Sequence, residues 1–182
     1  RMSEINFIAQ PAVRTTLDAI EAIAKNCELA KLDIAAAYIT SSGTYDLLKR
    51  IDSALGANWA TVEKRWLTSF DYCRTQPVAL ESLLSLPASS VRVYDAPFCL
   101  AHGGMPKTPF HPKAFLFRGK DKDFALAGSG NLSRSGLSKG VEVGLTLSVN
   151  RKNPVEPTSA TSIRGLRRWY KQIWDNATPL DA

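Results

Sequence analysis

His111-Pro112-Lys113-Ala114-Phe115-Leu116-Phe117-Arg118-Gly119-Lys120-Asp121-Lys122-Asp123-Phe124-Ala125-Leu126-Ala127-Gly128-Ser129-Gly130-Asn131 is the stretch on which the fold turns. Two short apolar runs, residues 114–117 and 124–127, flank a polar connection at 118–123. That is the pattern of a β-hairpin. Pairing the two runs sets the start of the first strand beside the end of the second. His111, Lys113, Ser129 and Asn131 then converge on one edge of a sheet. His111 and Lys113 stand two residues apart, so on a strand they share a face. A third apolar stretch, 141–149, supplies another strand and carries Glu142.

Upstream of the hairpin the rhythm is different. Val13, Leu17, Ile20, Ile23, Ala24 and Cys27 fall at helical spacing and predict a helix over 11–27. Residues 32–40 are a nearly unbroken apolar run, expected as a strand covered on both faces. Ser41-Ser42-Gly43-Thr44 is turn and cap chemistry ahead of a helix marked by Tyr45, Leu47, Leu48, Ile51 and Leu55. A strand over 65–70, a short helix over 77–86 and a strand over 91–94 follow. Residues 99–109 read as a loop. A helix over 158–177, striped by Ile163, Leu166, Trp169 or Tyr170, Ile173 and Trp174, comes last. Strands separated by helices predict an α/β fold, a mixed, largely parallel central sheet flanked by helices. The whole of 1–182 is expected to be one domain, with a linker at 150–157.

Composition narrows the class. The 182 residues are 45% apolar and 22% charged, ordinary for a globular chain and too apolar for a disordered one. No apolar run approaches the ~20 residues that span a bilayer, and no signal peptide is read, so no membrane partner is expected. Cys27, Cys73 and Cys99 form no CxxC pair and are expected as reduced thiols in a cytoplasmic setting. The net charge of +6 is a weak pointer to an anionic partner. His102 and His111 are the only histidines, which limits imidazole chemistry to two addresses.

The convergent side chains suit phosphoryl transfer. An imidazole attacks phosphorus and carries the phosphoryl group covalently. An ammonium and an amide hold the non-bridging oxygens as charge shifts in the transition state. Gly128 and Gly130 let backbone approach a phosphate closely. No Asp or Glu cluster stands near enough to form a metal cage, so no metal or other cofactor is expected.

At these residues the chain resembles the phospholipase D superfamily. That signature is His-x-Lys, an Asp a few residues on, then Gly-Ser and a nearby Asn. Here it reads His111-Pro112-Lys113 and Gly128-Ser129-Gly130-Asn131, and the whole chain fits one catalytic half-unit of the phospholipase D-like α/β/α sandwich. The family Asp departs from pattern. Arg118 stands at its usual offset from Lys113, whereas Asp121 has the expected offset from Gly-Ser, as a three-residue extension of the hairpin produces. In the family this Asp generally supports the fold.

The resemblance implies two His-x-Lys motifs across one site, one His as nucleophile and one as acid. With one motif per chain, it implies a C2 homodimer sharing its active site. Single-motif members of this size include bacterial non-specific nucleases and the catalytic domains of metal-independent restriction endonucleases. In the latter a Glu in the strand after Gly-Ser-x-Asn belongs to the site, and Glu142 is the candidate.

The expected catalytic set is therefore His111, Lys113, Ser129, Asn131 and Glu142. Lys107, Arg134, Gly128 and Gly130 are expected against substrate. The expected activity is metal-independent DNA hydrolysis through a phosphohistidine, by a stand-alone nuclease or a restriction-enzyme catalytic domain. The alternatives are a phospholipid-acting phosphodiesterase or phosphatidyltransferase, and a dormant DNA-binding or dimerisation module. Basic loops near the motif, and Arg164, Arg167, Arg168 and Lys171 on the last helix, track a polyanion in the functional reading. In the bland reading they are a solvated face.

Overall fold

The computed structural model describes residues 5–152 and 158–181. Residues 153–157 of the expected linker lie outside the described residues. Eight strands form one mixed sheet: β1 (Ile5–Gln10), β2 (Leu29–Ala36), β3 (Glu63–Ser69), β4 (Ser89–Tyr94), β5 (Lys113–Gly119), β6 (Lys122–Gly128), β7 (Glu142–Asn150) and β8 (Thr178–Leu180). Their order across the sheet is β1-β7-β6-β5-β2-β3-β4-β8. The helices are α1 (Thr16–Asn26), α2 (Ser41–Leu55), α3 (Pro77–Leu84), α4 (Ala96–Ala101) and α5 (Thr158–Asn176).

The mixed α/β class is as expected, but the parallel part is smaller than "largely parallel" implies. Among the described strands only β2–β3 and β3–β4 pair in parallel. The hairpin β5–β6 docks antiparallel on β2, with Ala35 opposite Ala114, and β7, β1 and β8 also pair antiparallel. Alternating helices and strands specify parallel crossovers only where a helix separates two strands, and no helix separates β5 from β6.

Two apolar layers hold the sheet. Leu17, Ile20 and Ile23 of α1, with Leu47 and Ile51 of α2 and Leu80 and Leu83 of α3, bury against Ile34, Trp66, Phe115 and Phe117. On the other face Ile163, Tyr170 and Trp174 of α5 cover Ala35, Leu67, Leu116 and Ala125. The strand alternation therefore sends Phe115 and Phe117 one way and Ala114 and Leu116 the other, as period-two geometry demands.

Several boundaries differ from the sequence reading. The helix expected over 11–27 begins at Thr16, where Thr15 and Asp18 close a capping box. Residues 5–10 are instead an edge strand. Gln10, 3% exposed, explains the hand-over. Its Oε1 accepts from Thr16 N at 3.0 Å, while its Nε2 donates to Ser135 O at 2.9 Å and Gly140 O at 3.0 Å. The apolar run at 32–40 leaves the sheet after Ala36, so Tyr38 and Ile39 lie in a loop. The Ser41–Thr44 segment is already helix, capped by Thr40. The loop expected over 99–109 is shortened at its start, where residues 99–101 are the end of α4.

Burial pushes the Cys27 and Cys99 thiols up to about 11, with a carboxylate beside each adding to the effect, whereas Cys73 is exposed. A thiol that stays protonated and covered reacts slowly. Titration of the native protein with a disulfide reagent at pH 8 is expected to score one fast thiol, and three after denaturation. A native count of three would contradict this packing.

Candidate active site

The site is assembled from loop ends whose backbones are fixed by other loops. His111 precedes β5, and the chain is clamped on both sides of it. Phe110 N donates to the Asp71 carboxylate at 2.7 Å, and Pro112 O accepts from Ala37 N at 3.0 Å. Asp71 is 1% exposed, and its other oxygen accepts the Cys99 thiol at 3.6 Å. The Phe110 ring stacks on Tyr94, with centroids 5.3 Å apart.

Lys113 opens β5 and is largely buried. Its Nζ lies 2.6 Å from His111 Nδ1 and donates to the His111 carbonyl oxygen at 3.1 Å. A donor aimed at a ring nitrogen needs that nitrogen's lone pair. Burial holds the Lys113 pKa below the usual lysine range, and the negative charge of Glu142 works against that shift.

The register fixes the opposing residues. Ala114 faces Ala127 and Gly128 faces Gly144, so Ser129 emerges at the end of β6 beside β7. Ser129 N donates to Val143 O at 2.9 Å. The Ser129 hydroxyl accepts from Val143 N at 3.1 Å and donates to the Glu142 carboxylate. Asn131 Oδ1 accepts from Tyr38 N at 3.3 Å, which leaves the amide hydrogens available to donate. The 38–40 and 129–132 loops are zipped together by Leu132 N to Tyr38 O (3.2 Å) and Thr40 N to Leu132 O (3.0 Å).

His111 and Lys113 thus touch, Ser129 and Glu142 touch, and the Glu142 charge acts on Lys113. Tyr38 links the two halves. Its backbone holds Asn131, and its ring meets the His111 ring edge-on at 6.1 Å. An ammonium and an amide around an exposed imidazole are donors for an oxyanion beside a nucleophile, while the Ser129 hydroxyl gives its proton to Glu142. Among the described residues no three His, Cys, Asp or Glu side chains form a metal-holding group.

No family model and no curated sequence matches the chain. Solved structures do. NucT from Helicobacter pylori superposes with a TM-score of 0.69 at 14% identity, over 98% of this chain and 99% of that one. Nuc from Salmonella typhimurium, a phospholipase D family member, superposes with a TM-score of 0.66 at 11% identity, over 99% of both. The chain has the phospholipase D fold. Phosphatidylserine synthase from Haemophilus influenzae is similar over 98% of this chain but 40% of its own length, with a TM-score of 0.58 and 15% identity.

Within this phospholipase D fold the remaining candidates lie further out. A Cβ on Gly128 would press on Val143 O, and one on Gly130 would overlap Gly136 O, so both glycines serve close backbone packing. Arg134 donates to Asp46 at 2.8 Å and pins its loop to α2. Lys107 is exposed on the loop ahead of His111. His102 ends α4 and stacks on Phe98, with centroids 3.9 Å apart. Asp121 sits in the β5–β6 turn, bonded to Lys152 at 2.7 Å. Asp123, not Asp121, is the buried carboxylate of the hairpin, and it accepts from Arg167 at 2.8 Å.

Three residues at the site had no signal in the sequence: Tyr38, Asp71 and Arg74. Arg74 lies with its guanidinium over the Tyr38 ring at 5.6 Å. Its loop carries Tyr72 and Cys73 at positive φ, backbone that costs about 1–3 kcal/mol per residue and persists only where neighbours impose it. Here Tyr72 N bonds Gly104 O at 2.7 Å and Cys73 N bonds Phe70 O at 3.0 Å.

Asp71→Ala strands the buried Phe110 N–H, and such a loss costs about 1–3 kcal/mol. The denaturant midpoint is expected to fall accordingly, and less for Asp71→Asn, whose amide oxygen still accepts. An unchanged midpoint in Asp71→Ala would show that water replaces the carboxylate.

Proposed function

We propose that the chain is a metal-independent phosphodiesterase that hydrolyses DNA through a covalent phosphohistidine. The observation that carries this reading is the contact of Lys113 with His111 beside the Ser129–Glu142 pair and Asn131. The full-length likeness to NucT and Nuc favours it over the phospholipid reading, since the phosphatidylserine synthase is matched over only part of its length. No helix among the described residues is long and apolar enough to cross a membrane.

In the first step a His111 ring nitrogen attacks phosphorus, a P–N bond forms and the P–O bond to the leaving sugar oxygen breaks. That oxygen takes a proton from a second imidazolium. In the second step water attacks phosphorus, the P–N bond breaks and the proton goes to the now neutral second imidazole. Lys113 and the Asn131 amide hold the non-bridging oxygens. Glu142 fixes the Ser129 hydroxyl and offsets the charge of Lys113.

One imidazole cannot be nucleophile and acid in the same step, and His102 is stacked away on Phe98. The second imidazole is therefore His111 of the partner subunit, in a C2 dimer. An uncovered apolar face supports this assembly. Phe7 (56% exposed) and Ile5 on β1 lie beside Leu145 and Val143 (52% exposed) on β7. Val143 bonds Ser129 directly, so burying this face in a dimer brings the site to the interface.

Nicking of supercoiled plasmid is expected to persist in EDTA and to vanish in His111→Ala. Mixed dimers of wild type and His111→Ala are expected to lose nearly all activity, because each shared site lacks one imidazole. Activity lost in EDTA and restored by magnesium would overturn the mechanism. A fully active monomer would overturn the shared site.

The charge balance at Lys113 has a consequence for pH. Glu142→Gln removes the charge that raises the Lys113 pKa and leaves the burial that lowers it. Lys113 then loses its proton at lower pH, so the alkaline limb of kcat/KM is expected to move to lower pH. An unmoved limb in Glu142→Gln would mean that another group sets it.

A further inference from the structure

We propose that Arg74 binds the phosphate next to the scissile one, so that the preferred substrate is a phosphodiester polymer and not an isolated diester. This rests on the reading of the site as a phosphodiesterase. Arg74 is exposed and comes within ion-pair distance of no carboxylate among the described residues, whereas Arg50, Arg65, Arg134, Arg151 and Arg167 are each paired. Its guanidinium sits over the Tyr38 ring at 5.6 Å, and that ring meets His111 at 6.1 Å. A cation–π contact of this kind uses none of the guanidinium N–H donors, which stay available to a phosphate.

The placement is rigid. The loop 71–74 that carries Arg74 begins at Asp71, whose carboxylate also holds Phe110 N, one residue before His111. Arg74 N bonds Asp71 O at 3.3 Å, and the positive-φ pair Tyr72 and Cys73 is locked to Gly104 and Phe70. One buried side chain thus sets both the nucleophile's loop and the cation's loop.

The test compares kcat/KM on a short oligonucleotide with that on bis(p-nitrophenyl) phosphate, a diester that has no second phosphate. Arg74→Ala is expected to lose about tenfold more on the oligonucleotide than on the small diester, the worth of a charge-assisted contact. In a His111→Ala background, where DNA is not consumed, Arg74→Ala is expected to reduce the salt slope of DNA binding by about 0.7–0.9, one phosphate's share. Arg74→Lys is expected to restore the slope. Equal losses on both substrates would place Arg74 at the reacting phosphorus or in the fold, and an unchanged slope would mean that it meets no phosphate. Either result overturns the proposal. Wild type that cuts neither substrate overturns the phosphodiesterase reading instead, and the salt slope still decides Arg74.

Discussion

The antiparallel pairing of Ala114 with Ala127 across the β5–β6 hairpin is the constraint on which the site depends. It sets Lys113 next to Gly128 at one end of the pair. Everything polar in the site is within a few residues of that end. A slip of one residue would turn Phe115 and Phe117 out of one apolar layer and Leu116 out of the other. Both layers oppose it, since Phe115, Leu116 and Phe117 are all essentially buried. The core thereby enforces the register, and the register brings the His111 end of one strand to the Ser129 end of its neighbour. The chemistry sits at the edge of the packing that positions it.

Much of this was legible in the sequence, because hairpins and amphipathic helices are local. The two apolar runs at 114–117 and 124–127 and the polar turn between them define β5 and β6 within a residue or two. The stripe of Ile163, Tyr170 and Trp174 defines the buried face of α5. What was hidden is non-local. The strand β1 pairs with β7 more than 130 residues away, and its Ile5 and Phe7 are exposed, so it lacks the half-buried signature of a strand. The order of strands across the sheet leaves no local mark, which is why the antiparallel docking of β5 on β2 went unread. Tyr38 looked like strand because the apolar run continues past Ala36. Asp71 and Arg74 carry no mark of a site in the sequence, since their positive-φ neighbours are Tyr72 and Cys73 and not Gly or Asn.

Net charge was a poor guide to where an anion is met. The basic face expected on α5 is partly committed. Arg167 is bound to Asp123 and to the Phe117 carbonyl, and Lys171 pairs with Asp175. Arg134 faces Asp46, and Lys152 faces Asp121. Apart from Arg167 with the buried Asp123, these are exposed pairs that add little to stability, yet all of them cancel the long-range field of the cations that make them. Near the site Arg74 and Lys107 come within ion-pair distance of no carboxylate among the described residues, whereas Lys113 acts under the charge of Glu142.

The reacting side chains and their supports divide the work in a way that follows from what each must do. His111 and Ser129 are exposed, because a polymer has to reach them. Exposed side chains are held weakly by packing, so their precision has to come from the backbone. It does: Phe110 N, Pro112 O, Ser129 N, Leu132 N and O are each bonded to a neighbouring loop or strand. The partners come from β7 and from the loops after β2 and β3, so no single element fixes the site. Donors held in place before substrate arrives cost no reorganisation when charge develops on the phosphate. That preorganisation is built mostly from main-chain hydrogen bonds, with the Asp71 carboxylate on Phe110 N and the Asn131 amide on Tyr38 N as side-chain contributions, so other side chains near His111 are free to differ in sequence while the geometry of the nucleophile is kept.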